Sequence, residues 1–331
     1  MTNFSVGIGL TNECNLRCPH CYRPDATVDR LDLEAVRRVC DAIPVGSMNL
    51  GVGENGLHPE YRAVLDELAV RGIRTSITSN GQSVACLTDA EVKRFRTVEF
   101  SLDFPTEGAH DAFRGAGNWR AVHEQLERCR GLGVPVTITT VLMRINARAL
   151  PGLVEVARRV GASLRVNVYQ PAKVDRFMLG YAEFWEAFRA LAATSRLVAT
   201  TEPVLAAVLG LSEFRGPGCG RSTVRVAPDG RVLPCTYWPA SDLTIDRLVA
   251  LGPAILGTPV FAAARSVPGA CAGCPCRGGC AGRRALVGAL GAPDPYCPIA
   301  RGERLRLDWP RAGGQDLPKV GSACTTVVAP A

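Results

Sequence analysis

Val6–Leu10 (VGIGL) is followed, four residues on, by Cys14-Asn15-Leu16-Arg17-Cys18-Pro19-His20-Cys21-Tyr22. The short apolar run with its β-branched Val6 and Ile8 reads as a strand. Pro19 and the polar residues around it forbid its continuation, so the cysteines belong to a loop at the strand's end. Three thiolates in C-x3-C-x2-C spacing can wrap one metal centre. A zinc site asks for a fourth protein ligand, whereas an iron–sulfur cube held by three cysteines leaves one iron open to a small molecule. His20 sits inside the triplet, where simultaneous ligation is awkward, and reads as a packing residue of the loop.

Outward from this loop, strand-like runs at Met48–Val52, Arg74–Thr78, Val98–Leu102, Val136–Leu142 and Leu164–Val168 alternate with helix-like segments at Leu31–Ile43, Glu60–Arg71, Asp89–Phe95, Trp119–Leu132 and Ala149–Val160. Six strands alternating with helices predict an α/β fold with a parallel sheet, a partial (β/α)6 barrel whose chemistry lies on the loops after the strands' C-terminal ends. Tyr181–Thr194 and Pro203–Leu211 are predicted as bridging helices. From Gly216 the texture turns to Gly, Pro and Cys, and Ser222–Ala227 and Arg231–Pro234 flank an Asp229-Gly230 turn as a β-hairpin. The chain is accordingly divided into a barrel at 1–175, bridging helices at 176–211, a Cys-rich domain at 212–309 and a polar tail at 310–331.

The triplet after strand one resembles the radical S-adenosylmethionine (radical SAM) superfamily, whose motif is C-x3-C-x-aromatic-C, with His20 in the aromatic place. Gly51-Val52-Gly53-Glu54 resembles the family's Gly-Gly-Glu segment, which holds the methionine amino group, with Val52 as a departure. Thr78-Ser79-Asn80-Gly81 resembles its Thr-Asn-Gly turn. Ser101-Leu102-Asp103 resembles its Ser-Ile-Asp-Gly segment, with Phe104 where Gly is usual. The resemblance implies that Cys14, Cys18 and Cys21 hold a [4Fe–4S] cluster, that Gly53, Glu54, Ser79, Asn80, Ser101 and Asp103 bind S-adenosylmethionine, and that reductive cleavage gives a 5′-deoxyadenosyl radical that abstracts a substrate hydrogen.

A second set of cysteines, Cys219, Cys235, Cys271-x2-Cys274-x-Cys276-x3-Cys280 and Cys297, resembles the SPASM and twitch auxiliary-cluster domains of that superfamily. Their pattern is C-x9–15-G-x4-C, then C-x2-C-x5-C-x3-C, then a last Cys. Cys271, Cys274, Cys280 and Cys297 match one four-cysteine set for an auxiliary [4Fe–4S] cluster. Arg283 and Arg284 stand where the family has the next cysteine, so a second auxiliary cluster with Cys219 and Cys235 requires Cys276 and Cys324 to be recruited. A twitch-like alternative uses Cys219, Cys235, Cys271 and Cys274, and the spacing also permits a zinc ribbon. Cys40, Cys86 and Cys129, on or beside predicted helices, read as buried small hydrophobes.

At 47% hydrophobic and 21% charged the chain is globular, not disordered. Its apolar stretches fall short of the ~20 residues of a membrane span, and no signal-peptide pattern precedes them, so a cytoplasmic enzyme is expected. Fourteen cysteines then point to metal or redox chemistry rather than disulfides. The net charge of +7 comes from 38 basic residues, of which only Lys93, Lys173 and Lys319 are lysines. They are not interleaved with aromatics on one element, so no nucleic-acid partner is expected. No Gly-x-Ser-x-Gly or phosphate loop supports a hydrolase or kinase.

The expected activity is hydrogen abstraction from a C–H bond of a natural-product (aminoglycoside or sugar-like) or peptide substrate. Glu13, Asp103, Asn167 and Gln170 on the rim are candidates to hold it. A thiol returning hydrogen from the opposite face, with Cys324 or Cys276 as donor, would give epimerisation, whereas loss of an electron into an auxiliary cluster would give two-electron oxidation. The alternative is a peptide maturase forming cross-links. Against that, many peptide-modifying members of the family it resembles carry a leader-binding domain ahead of the first cluster cysteine, here already residue 14, although a partner protein can supply leader binding. A flavodoxin or ferredoxin is expected as electron donor. The reading from a different class, an iron–sulfur electron carrier or scaffold, needs no S-adenosylmethionine site.

Overall fold

The computed structural model describes residues 3–23, 26–211, 219–313 and 324–331. Its strands are β1 (Phe4–Ile8), β2 (Val45–Leu50), β3 (Arg74–Ser79), β4 (Thr97–Ser101), β5 (Val136–Leu142), β6 (Ser163–Val168), β7 (Ser195–Thr200), β8 (Thr223–Val226), β9 (Val232–Leu233) and β10 (Thr325–Pro330). They form one sheet in the order β7-β10-β6-β5-β4-β3-β2-β1-β8-β9. β1 to β6 are parallel neighbours joined by helical crossovers, as the alternating pattern predicts. The sheet is open, so the barrel is partial.

Apolar side chains explain these strands. Val6, Ile8, Val98, Phe100, Ile138, Leu164 and Val166 are buried in one core with the inner faces of the crossover helices, the burial a parallel sheet needs on both sides. The helix Tyr181–Thr194 buries Phe184, Trp185 and Phe188. Trp185 Nε1 donates to Tyr296 O at 3.1 Å, and the Tyr296 ring stacks on Phe184 with centroids 4.2 Å apart, tying the Cys-rich segment to the barrel.

The hairpin predicted around Asp229-Gly230 is present as antiparallel β8 and β9, and β8 lies parallel to β1. Gly7 is paired with Arg225 across that junction. A Cβ on Gly7 would fall 1.5 Å from Arg225 Nη1, so only glycine lets the guanidinium cross the face of β1. Two expectations need correction. Ser195–Thr200, read as part of a helical bridge, is β7, and the expected polar tail contains β10. That strand lies between β6 and β7, antiparallel to both. Among the described residues no helix is long and apolar enough to cross a membrane.

Candidate active site

The C-terminal ends of β1 to β6 and the loops after them surround a cavity of about 420 Å³, closed on one side by the segment after β9. Half-buried Cys14, Cys18 and Cys21 line it together with Gly53, Glu54, Ser79, Asn80 and Ser101. The cysteine loop is held from within: Arg23 donates to Asn12 O and Leu16 O, each at 2.9 Å, and Asn12 Nδ2 donates to Thr27 O at 2.8 Å. His20 stacks on Phe113, with centroids 5.1 Å apart.

The loop after β2 passes through left-handed backbone at Val52 (φ 67°) and Gly53 (φ 60°). A Cβ on Gly53 would lie 2.4 Å from both Glu13 O and Thr11 O, so glycine is required where this loop meets the cysteine loop. Val52 holds the same backbone conformation despite its β-branched side chain, which stores strain at the site. The next N–H, of Glu54, donates to Glu13 O at 2.7 Å.

Glu54 turns its buried carboxylate to the loop after β3. It accepts from Ser79 Oγ at 2.5 Å, Ser83 N at 2.7 Å and Asn80 N at 3.0 Å. Burial raises its pKa, opposed by these donors. Asn80 in turn donates through Nδ2 to Asn15 Oδ1 at 2.8 Å and to Cys14 Sγ at 3.6 Å. Three loops predicted separately from sequence thus converge on the triplet.

Asp103, expected at the S-adenosylmethionine site, is not among the described residues that line the cavity. Fully buried, it accepts from Arg114 Nε at 2.7 Å and from Val141 N at 2.9 Å. Burial raises its pKa, but the Arg114 guanidinium and the other donors more than offset this and bring it down to about 2. Its work is to hold Arg114, whose carbonyl receives the Cys18 thiol at 3.9 Å.

Sequence reasoning missed several cavity residues. The Tyr22 and Tyr237 rings meet edge to face at 5.3 Å, and a Glu99–Arg165 ion pair lies deeper in the cavity, with Thr78 Oγ1 donating to Glu99 at 2.9 Å. Arg225 is the third. Its Nε, Asn167 Oδ1 and Gln170 Oε1 are buried at the cavity without a hydrogen-bond partner among the described residues. A strand residue such as Arg225 carries no motif, and only the glycine facing it hints at its path.

The second cysteine set is also regrouped. The sulfurs of Cys274, Cys276 and Cys297 lie within 4.8 Å of one another, and Cys271 closes a turn onto Cys274, whose N–H donates to Cys271 O at 3.1 Å. Cys280, expected in this group, belongs elsewhere. Arg277, Gly278 and Gly279 are left-handed in succession (φ 44°, 82° and 75°) and reverse the chain between Cys276 and Cys280. A Cβ on Gly279 would strike Asp294 Cβ at 2.2 Å, and Asp294 Oδ2 accepts from Cys280 N at 2.8 Å. Cys324 lies beside Cys280, and Cys219 beside Cys235.

The C-x2-C-x-C-x3-C run is thus split, with Cys276 grouped with Cys274 and Cys297 and Cys280 set apart from them. Arg283 is buried, donating to Glu202 Oε2 at 2.8 Å and Asp294 Oδ2 at 2.6 Å. Among the described residues the cavity is lined by neither Cys276 nor Cys324, the two candidate hydrogen donors.

The donors at the cavity fit an iron–sulfur cube with an open iron. Among the described residues Cys14, Cys18 and Cys21 line one cavity without closing into a tight single-ion group, and no fourth His, Cys, Asp or Glu joins them, which suits a body larger than one ion.

Residues 8–157 match the Radical SAM superfamily. Over 328 residues the chain is 28% identical to the mycofactocin maturase MftC of Mycobacterium ulcerans (strain Agy99), covering 87% of this chain and 86% of the other. It is 28% identical over 332 residues to the PqqA peptide cyclase of Methylorubrum populi, covering 88% and 84%. Among solved structures, anSMEcpe with bound AdoMet superposes with a TM-score of 0.69 at 18% identity over 91% of this chain and 95% of that one. Streptococcus suis SuiB bound to its precursor peptide SuiA gives 0.64 at 16% identity over 89% and 76%. These two likenesses show the fold.

Proposed function

Because the chain carries a radical SAM domain, we propose that it is a peptide maturase that removes hydrogen from a C–H bond and leaves the peptide oxidised by two electrons. This puts the cross-linking alternative ahead of action on an aminoglycoside or sugar. The observation that supports it is the cavity lining: among the described residues, Cys14, Cys18 and Cys21 are the cysteines that line it. Epimerisation by a protein thiol needs a donor opposite the abstracting group, and Cys276 and Cys324 lie elsewhere. The names of the relatives, a maturase and a peptide cyclase, support a peptide substrate.

When bound, the [4Fe–4S] cluster of Cys14, Cys18 and Cys21 and S-adenosylmethionine supply the 5′-deoxyadenosyl radical, while an auxiliary cluster at Cys271, Cys274, Cys276 and Cys297 supplies an electron acceptor. The chain's own residues position the reactants. Gly53 lets the loop after β2 pack directly on the cysteine loop, Glu54 locks the loops after β2 and β3 together, and Asn80 steadies Cys14. Tyr22, Tyr237 and Trp238 give the cavity an aromatic wall. Asn167, Gln170 and Arg225 offer buried acceptors and a donor to a peptide's polar groups. A flavodoxin or ferredoxin supplies the initiating electron.

The test is incubation of anaerobically reconstituted protein in D2O with reductant, S-adenosylmethionine and a panel of synthetic precursor peptides. A peptide that has lost two hydrogens, with no carbon-bound deuterium, is expected. Deuterium at a carbon would identify an epimerase and overturn the reading. The Cys14→Ala/Cys18→Ala/Cys21→Ala variant should form no 5′-deoxyadenosine; retained cleavage would remove the triplet from its role.

A further inference from the structure

One charge at the cavity is left unanswered by the protein. Every other arginine around it is met from within: Arg114 by Asp103 at 2.7 Å, Arg231 by Asp229 at 2.6 Å, Arg165 by Glu99, and Arg23 by the Asn12 and Leu16 carbonyls. Arg225 differs. Among the described residues its guanidinium makes no ion pair or hydrogen bond, and its Nε is buried. Arg225, Gly7 and Asn49 form one row across β8, β1 and β2, and all three line the cavity. Gly7 lets the guanidinium lie over β1, for a Cβ there would stand 2.4 Å from Arg225 Cζ. Burial pushes the Arg225 pKa down, and the Arg165 charge pushes the same way. A partly buried cation without a counter-charge is costly, so its retention at a cavity points to an anionic ligand. From the end of β6, Gln170 Nε2 donates to Val168 O at 3.2 Å, and its Oε1, like Asn167 Oδ1, is buried without a donor among the described residues.

We propose that Arg225 receives a carboxylate of the substrate, with Asn167 and Gln170 accepting N–H groups of the same molecule. A carboxylate matches the planar fork of a guanidinium and supplies the charge that Arg225 lacks. Together with N–H donors it describes a peptide that brings either its C-terminus or an Asp or Glu side chain into the cavity. That substrate class rests on the peptide-maturase reading above, whereas the carboxylate subsite rests on the cavity alone. S-adenosylmethionine carries a carboxylate too, but Arg225 stands on β8, outside residues 8–157 that match the radical SAM domain.

The probes are N-acetylglycine, which carries a carboxylate and an amide N–H, and N-acetylglycinamide, which lacks the charge. Saturation-transfer NMR on the full chain, reconstituted anaerobically and saturated with S-adenosylmethionine, should detect the acid and not the amide. Arg225→Gln should weaken binding of the acid at least about tenfold, and Arg225→Lys, which keeps the charge but not the fork, should restore part of it. Because the native guanidinium is uncompensated, Arg225→Gln should denature at an unchanged or higher guanidinium concentration; a lower midpoint would assign Arg225 to the fold instead and overturn the proposal. Two mixtures of short synthetic peptides then separate the sources, one amidated and containing Asp and Glu, the other with free C-termini and lacking them. Retention of the first identifies an acidic side chain and of the second a C-terminus, each lost in Arg225→Gln. Equal binding of acid and amide, binding of neither, acid binding unchanged in Arg225→Gln, or a loss of iron or of S-adenosylmethionine affinity as that variant's main effect would overturn the proposal. Binding of the acid with retention of neither peptide mixture would uphold the subsite and count against the peptide reading alone.

Discussion

Replacing Gly53 with Ala probes the contact on which the cavity depends. A left-handed L-residue costs about 1–2 kcal/mol. The new Cβ would lie 2.4 Å from Glu13 O and Thr11 O, both main-chain atoms that cannot swing aside. Restoring ordinary contact needs about 1 Å of retreat, which stretches the 2.7 Å Glu54 N–H bond to Glu13 O beyond hydrogen-bond range. That forfeits about 1 kcal/mol, and the strain left in the loops adds about 1–3 kcal/mol. The sum is about 4 kcal/mol, measurable by anaerobic guanidinium denaturation. Because Cys14 follows Glu13 directly, equilibrium dialysis should also show S-adenosylmethionine bound at least about tenfold more weakly. A variant within about 1 kcal/mol of wild type that binds S-adenosylmethionine normally would refute the account of this loop. Val52→Gly is the companion with opposite sign: relief of left-handed strain exceeds the added chain entropy, and stability should rise by up to about 1 kcal/mol.

Glu54→Gln sets an amide NH2 against at least one of the three donors that the carboxylate accepts, and should cost about 2 kcal/mol and weaken S-adenosylmethionine binding; unchanged denaturation and dialysis would contradict the lock between the loops after β2 and β3. Arg283→Met strands Glu202 and Asp294 in the interior and should cost about 3–5 kcal/mol by denaturation, partly recovered in Arg283→Met/Glu202→Gln. If the double variant is no more stable than the single one, the buried triad is not the cause. His110 is held neutral, its pKa lowered below 6.5 mainly by burial, with Nδ1 accepting from Asp103 N and Nε2 meeting Asn118 Oδ1. A depressed histidine pKa favours the fold above the unfolded value, so its contribution should fade as pH drops below 6.5. Denaturation between about pH 5 and 8 should show a shallower acid-side loss in His110→Gln; parallel curves would exclude the assignment.

Much of the barrel was legible because its signals are local. Val136–Leu142 is a β-branched run whose predicted and observed limits coincide, and the strand ends carrying Glu54 and Asn80 follow runs of the same kind. What escaped was set by partners far along the chain. Ser195–Thr200 alternates only weakly and becomes a strand because β10 pairs with it. The Thr325–Thr326–Val327–Val328 quartet was the overlooked signal, lost between a polar stretch and Pro330. Cys276, not Cys280, stands beside Cys274 and Cys297, which the sequence hides because spacing along a chain does not tell which way it turns. Three left-handed residues at Arg277 to Gly279 send Cys276 and Cys280 to different groups, and the non-glycine among them gives no warning. A motif resemblance names Asp103 but not its rotamer, and in the structure Arg114 engages it.

The interior seat of β10 also governs how the chain must fold. Thr200 and Thr325, hydrogen-bonded across β7 and β10, are 125 residues apart in sequence. While a ribosome makes the intervening residues, β6 offers an open edge and β7 has no place in the sheet, since it joins only through β10. Such an edge is an invitation to mispair with other chains. Closing it is a slow, high-separation step that comes after most of the barrel has collapsed. Yield in a heterologous host should therefore respond to chaperone supply and growth temperature more than to changes in the first six strands' core, and substitutions in Thr325–Val328 should lower soluble yield before they lower the stability of the chains that do fold.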